Sequence, residues 1–155
     1  MSCDPLLPLL LISTMQCIRS VSTCMSEPNR VWSHCGRNNS VIQVSKVVIT
    51  PKPVQPGKMV SINVSIHQSE SIEGGTLSAG VRYAGVPVYR QCGDLCDALH
   101  CPSPAGDGLL VIRQHMPRFL PRFGSLVLRL SAQSLDGDPL LCLDINLSRD
   151  GFIPW

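Results

Sequence analysis

The chain has 155 residues, the length of one domain, and its 13 Lys and Arg against 11 Asp and Glu leave a formal net charge of only +2. This charge argues against a nucleic-acid-binding protein, because such proteins need a large basic excess to displace counterions from phosphates. With 44% hydrophobic and 15% charged residues, the chain is too apolar to be disordered. The 13 prolines and 12 glycines disfavour long helices, and the 8 cysteines indicate an oxidising compartment or a metal site.

The N-terminal residues contain an apolar run, Leu6–Ile12 (LLPLLLI), that is too short to span a bilayer. Small residues follow at Ser20 and Ser22, as they do before a signal-peptide cleavage site. We therefore interpret residues 1–24 as a secretory signal peptide, although Asp4 stands where a basic residue is usual. The alternative is a short apolar segment at the N-terminus of the mature protein.

Beyond Val31 the sequence alternates between strand patterns and turns. Met59–His67 (MVSINVSIH) places its Val and Ile residues on one face and polar residues on the other, which is the period of a β-strand. Six similar runs are Val41–Ile49, Thr76–Ala84, Val86–Arg90, Leu109–Gln114, Ser125–Gln133 and Leu140–Ser148. Short strands between Pro- and Gly-rich turns, with no alternation of strand and helix, predict an all-β fold, an immunoglobulin-like two-sheet antiparallel β-sandwich.

The sequence contains no GxSxG, HExxH, P-loop or GxGxxG motif, and its four histidines lie far apart, so we expect no enzymatic activity. Cys92, Cys96 and Cys101, with His100, would be the ligands of a zinc site. Structural zinc sites, however, use two well-separated ligand pairs, and these four residues are bunched together. Disulfide formation is therefore favoured over zinc binding, and we predict no metal and no other cofactor.

Three N-x-S sequons, at Asn38, Asn63 and Asn146, are candidate glycosylation sites. Asn63 and Asn146 fall on the polar faces of alternating strands, so a glycan on either would point to solvent. With the signal peptide, they favour a secreted glycoprotein.

The segment Met116–Phe123 (MPRFLPRF) combines basic and aromatic residues in a stretch that contains no acidic residue. One interpretation is that its Phe rings close the end of the sandwich core. The other is a membrane-docking lip, in which basic residues meet anionic head groups and the rings enter the interface. The candidate residues are Met116, Arg118, Phe119, Leu120, Arg122 and Phe123.

Several short motifs occur in an ordered series: Cys35, Val47–Pro51, Pro56–Lys58, Ile62–Ser65, Gly85–Val88, Asp94–Cys96, Cys101–Pro102 and Cys142. From about His34 to Ser148 this series resembles the ML (lipid-recognition) domain family. Members of that family include the cholesterol carrier lost in Niemann–Pick type C disease and the phosphatidylglycerol/phosphatidylinositol transfer proteins. The motif DLC-x4-CP, at residues 94–102, is similar to that of the plant-type members.

The resemblance implies two sheets that splay apart to hold a lipid, in a secreted or lysosomal protein that is not an enzyme. It also implies two disulfides, Cys35–Cys142 and Cys96–Cys101. Cys92 has no counterpart in the family, so we expect it to be free or paired with Cys24. The Met116–Phe123 loop stands where the family has the border of the cavity opening.

We therefore predict a lipid-binding domain over residues 25–150, followed by a tail at residues 151–155. It would bind and transfer one sterol or phospholipid as a monomer that touches membranes transiently and has no nucleic-acid partner. The predicted location is outside the cell or in the vacuolar or lysosomal lumen. The alternative is a lipid-presenting co-receptor or an immunoglobulin-like interaction domain with a filled core.

The predicted cavity-lining residues share the apolar phase of their strands. They are Val60, Ile62, Val64, Ile66, Leu77, Val81, Tyr83, Leu110, Ile112, Leu126, Leu128, Leu130, Leu143 and Ile145.

Overall fold

The computed structural model describes residues 31–36, 40–52, 54–119 and 125–147. Within them no helix is long and apolar enough to cross a membrane. The elements are eight strands and one short 3₁₀ helix. The strands are β1 (Trp32–His34), β2 (Ile42–Thr50), β3 (Met59–Gln68), β4 (Gly75–Tyr83), β5 (Val86–Asp94), β6 (Gly106–His115), β7 (Leu126–Ser134) and β8 (Pro139–Asn146), and the 3₁₀ helix is Leu95–Asp97.

The strands form two antiparallel sheets of unequal width. One has five strands in the order β1-β8-β7-β4-β5, and the other has three in the order β2-β3-β6. Each central strand is apolar at alternate positions, and these positions are buried in one continuous core between the sheets. The predicted immunoglobulin-like two-sheet sandwich is therefore confirmed.

The core is built almost entirely from Val, Ile, Leu and Ala side chains. On β3 the alternation runs Val60, Ile62, Val64 and Ile66, all buried, while the residues between them are half-buried. β4, β7 and β8 alternate in the same way toward the same interior. Burying each of these side chains contributes about 1.5–3 kcal/mol, which makes the alternating pattern the main determinant of the fold.

The structure corrects several predicted strand limits. β1 was not predicted, because three residues are too few to show a period, and it is positioned by pairing with β8. β5 continues past Arg90 to Asp94, which pairs with Thr76 of β4. β6 begins at Gly106 because that residue pairs with Gln68 of β3. In each case pairing with a neighbouring strand outweighs the local composition.

The structure contains both predicted disulfides. Cys35–Cys142 fixes the residue after β1 to β8, beside a hydrogen bond from the Cys35 N–H to the Cys142 carbonyl. Cys96–Cys101 closes the short loop that follows β5. This second disulfide uses two of the three sulfurs of the zinc interpretation, which is therefore wrong. Cys92 is an exposed free thiol.

The two disulfides should contribute unequally to stability. Replacing Cys35 and Cys142 together with alanine should lower the free energy of unfolding by about 5 kcal/mol, because the bond joins residues 107 positions apart. Replacing Cys96 and Cys101, which are 5 positions apart, should lower it by about 2 kcal/mol. Urea titrations of both double variants measure the difference, and equal losses would contradict the chain-entropy account.

Candidate functional site

An open cleft of about 420 Å³ lies where the edge strands β5 and β6 of the two sheets face each other. It arises because β5 extends beyond the cover of the narrower sheet, so that all nine of its residues are exposed. Leu77 and Ala79 of β4 line the cleft beside their ladder partners Gly93 and Gln91 of β5. The volume is in the range of about 300–1,000 Å³ that small-molecule sites occupy.

The opposite wall is β6, which contributes residues 111–114. One end of the cleft is closed by the 3₁₀ helix and Ala98, whose carbonyl accepts a hydrogen bond from the Val111 N–H at 3.0 Å. The Asp94 carboxylate caps this helix by accepting from the Cys96 N–H at 2.8 Å. The Cys96–Cys101 disulfide closes the same loop. One covalent bond and two hydrogen bonds therefore hold this end of the cleft in place.

Polar side chains stand at the mouth of the cleft. Gln114 points inward from β6 and is only 1% exposed, and its Nε2 donates to the His115 carbonyl at 3.0 Å. A longer contact of 3.5 Å joins this nitrogen to Gln91 Oε1 across the gap between the sheets. Arg113, on the same wall, makes no ion pair with any residue of the described ranges. The cleft therefore has an apolar floor and a polar rim.

Two of the predicted cavity-lining residues, Leu77 and Ile112, reach the cleft. The other predicted residues pack into the shared core, where Tyr83 is partly buried and the rest are buried. Five further residues line the cleft that were not among those predicted from the sequence, namely Ala79, Gln91, Gly93, Val111 and Gln114. Gln114 was the one indication in the sequence, because it is a polar residue at a position of β6 where the alternation places apolar residues.

The predicted membrane loop begins near the open end of the cleft. Met116 is fully buried and continues the inward alternation of β6, so its assignment to a membrane surface is wrong. Arg118 is exposed, and Phe119 is 94% exposed, so the Phe119 ring does not close the core. Leu120, Arg122 and Phe123 lie outside the described residues.

The predicted glycosylation sites lie on outer faces where the structure describes them. Asn63 is half-buried on the central strand of the narrower sheet, and Asn146 ends β8 opposite Val127. Asn38 lies outside the described residues.

A second depression, on the outer face of the wider sheet, is lined by three arginines. Arg82, Arg90 and Arg129 line it, with Gly80 and Ser78 between them. Arg129 donates two hydrogen bonds of 2.7 Å to the Asp144 carboxylate, and these bonds raise the pKa of Arg129. The described residues contain no group of three or more His, Cys, Asp or Glu placed to hold a metal ion.

Comparison with protein-family models matches the ML domain family over residues 29–148. The chain belongs to the ML domain family. Among similar proteins, a phosphatidylglycerol/phosphatidylinositol transfer protein of Mycosarcoma maydis is 27% identical over 75% of this chain, and one of Aspergillus fumigatus is 29% identical over 70%. The matches cover only 64% and 65% of those two fungal proteins, so this chain spans less than two thirds of their length.

Solved structures support the fold. A Niemann–Pick type C2 protein from the Japanese carpenter ant superposes with a TM-score of 0.60 at 14% identity, covering 76% of this chain and 97% of the other. Chicken MD-1, crystallised in complex with lipid IVa, gives a TM-score of 0.50 at 12% identity, covering 74% and 85%.

Proposed function

We propose that this protein binds one membrane lipid, a glycerophospholipid or a sterol, in the β5/β6 cleft and carries it between membranes without chemical change. The observation that carries the proposal is the cleft itself, an open gap between sheet edges whose floor is Leu77 and Ala79. The names of the fungal relatives support a glycerophospholipid as ligand, and the sterol is the other ligand that the family resemblance implies.

Lipid exchange of this kind needs no catalytic group. Each buried methylene contributes about 0.8 kcal/mol, so ten methylenes in the protein contribute about 8 kcal/mol. The same methylenes gain a similar free energy in a bilayer. Transfer is therefore nearly balanced between the two environments, and the direction follows the supply of lipid.

One end of the sandwich suits contact with an anionic membrane. This loop end consists of residues 51–52 and 54–58, the Ala84–Gly85 turn, residues 116–119 and 125, and the strand ends next to them. Hydrogen bonds join the Gly57 N–H to the Pro117 carbonyl and the Ala84 N–H to the Ser125 carbonyl. Its described parts contain no Asp or Glu. Its basic residues are Lys52, Lys58, Arg82 and Arg118. The acidic residues of the described chain, apart from Asp144, lie at the opposite end, namely Glu70, Glu73, Asp94, Asp97, Asp107, Asp136 and Asp138.

Exposed apolar side chains accompany the positive charge at the loop end. Phe119 projects from the loop, Val86 begins β5, and Met59 begins β3 beside Lys58, all three being exposed. The aliphatic stem of Arg118 lies close to Gly57, which holds the residue before Phe119 against the loop 51–58. Rings and chains that enter the interface next to basic residues are the usual means of peripheral membrane attachment.

The disulfides support a location in the secretory pathway, in a vacuole or lysosome, or outside the cell. Such bonds persist in oxidising compartments and are rare in the cytosol. We propose that the signal peptide at residues 1–24 directs the protein there.

Blocking the cleft tests the proposed function. A Cβ at Gly93 meets no atom within 4 Å and faces the cleft, so Gly93→Trp places a ring in the binding space with no steric conflict at Cβ. Loss of the space for two methylenes lowers affinity by about tenfold. We expect uptake of a pyrene-labelled phospholipid from vesicles to fall by at least this factor.

The matched control is Cys92→Trp, one residue away on the outer face of β5 opposite Ser78. It adds the same ring to the same exposed strand but not to the cleft, and should bind lipid like the unaltered protein. Equal uptake by both variants would show that lipid binds elsewhere or not at all.

The apolar part of membrane docking is tested at Phe119. Phe119→Ser should slow lipid transfer between anionic vesicles about fivefold, because a largely exposed ring no longer enters the interface. Leu135→Ser is the control, because Leu135 is an exposed apolar residue beyond the opposite end of β7. Equal slowing by both substitutions would contradict docking through the loop end.

The electrostatic part is tested by Arg118→Glu. A basic residue near an anionic surface is worth about 1 kcal/mol, so charge reversal should slow transfer to anionic vesicles about tenfold or more at low salt. The deficit should shrink in high salt and vanish with neutral vesicles, while the melting temperature stays unchanged. A deficit independent of salt and of vesicle charge would count against an electrostatic role.

A further inference from the structure

Gln114 is a buried polar side chain with an unused acceptor at the mouth of the cleft. Its amide nitrogen donates to the His115 carbonyl, and since a carbonyl can only accept, that contact fixes which side of the carboxamide is nitrogen. The oxygen, Gln114 Oε1, accepts no hydrogen bond from any residue of the described ranges. Unlike Gln68 Oε1, this oxygen is not fully enclosed by protein, so a ligand group that enters the cleft can reach it.

A complementary donor lies across the cleft. Gln91 Oε1 accepts from the Tyr89 hydroxyl at 3.3 Å and faces Gln114 Nε2, which orients the Gln91 carboxamide. Gln91 Nε2 itself donates to no described residue. The two glutamines thus present one free acceptor and one free donor at the same mouth. A hydroxyl group, which both donates and accepts, matches that pair.

We propose that Gln114 Oε1 and Gln91 Nε2 together bind a hydroxyl group on the polar head of the lipid, and that the protein thereby selects lipids that bear a hydroxyl. The proposal rests on lipid binding in the β5/β6 cleft and adds the chemistry of recognition at its mouth. The hydroxyl donates to Gln114 Oε1 and accepts from Gln91 Nε2, while the apolar part of the lipid lies along Leu77 and Ala79. A sterol hydroxyl and a glycerol or inositol hydroxyl share this chemistry.

Gln68 provides an internal control. It is also 1% exposed on the inner side of a strand, its Nε2 donates to Ser103 Oγ at 2.8 Å, and its Oε1 has no partner in the described structure. Gln68 does not line the cleft. Along β3, the residue paired with Gln114 is Val60, eight positions from Gln68, which places the two glutamines about 26 Å apart.

The test measures lipid choice by the full chain. The protein is incubated with phosphatidylcholine vesicles that contain equal amounts of dioleoyl phosphatidylglycerol and dioleoyl phosphatidylethanol, and bound lipid is identified by native mass spectrometry. The two lipids carry the same charge and acyl chains, but only the first has hydroxyl groups. A second arm uses cholesterol and cholesterol methyl ether. The hydrogen bond to Gln114 Oε1 alone predicts a preference of about fivefold or more for the hydroxyl-bearing member.

The arm that shows the preference identifies the source of the hydroxyl. Gln114→Met, which keeps the length of the side chain and removes the acceptor, should lower the ratio in that arm about fivefold, and any remaining preference is due to the donor Gln91 Nε2. Gln68→Met should leave the ratio unchanged, and circular dichroism confirms that both variants are folded.

Equal uptake of both members in both arms by the unaltered protein would overturn the hydroxyl proposal while leaving lipid binding intact. A preference that Gln114→Met leaves undiminished, or that Gln68→Met lowers equally, would also overturn it. Absence of any bound lipid would overturn the proposed function itself.

Discussion

The unequal width of the two sheets is the constraint on which the rest of this structure depends. Five strands face three, so the central strands bury one another's aliphatic side chains while β5 remains exposed along its whole length. Leu77 and Ala79, next to β5, consequently line an open cleft and not a closed interior. A second sheet of equal width would cover them. Both residues are buried members of the core, and the 8% of Leu77 and 6% of Ala79 that folding leaves accessible faces the cleft, where a bound lipid would cover it.

The two ends of the sandwich differ in charge. At one end of the cleft, Ala98, the 3₁₀ helix and the Cys96–Cys101 disulfide hold β5 and β6 together, and most of the acidic residues lie at that end. At the loop end, basic and exposed apolar side chains occur without acidic residues among those described. In the proposed docking, an anionic membrane would attract the loop end and repel the other, and this would orient the polar mouth of the cleft relative to the bilayer.

The alternation of apolar and polar residues predicted the strands correctly where one face of the strand is buried and the other is not. On β3 the alternation of Val and Ile with Ser and Asn predicted both the strand and its buried face, because a residue in a strand can take only one of two faces. The pattern failed at β1, which is too short to show a period, and at the second half of β5, whose composition is polar. Both segments become strands because a neighbouring strand offers its backbone hydrogen bonds.

The fold class, the inward faces of β3, β4, β7 and β8 and, through the family resemblance, the pairing of the disulfides could be predicted from the sequence alone. Which inward residues reach the cleft was decided only by the tertiary structure. Gln68 and Gln114 show why. Both interrupt an apolar phase and both are buried, yet only Gln114 stands at the gap between sheet edges. Alternation specifies the face on which a side chain lies, whereas strand order and sheet width determine what lies opposite it.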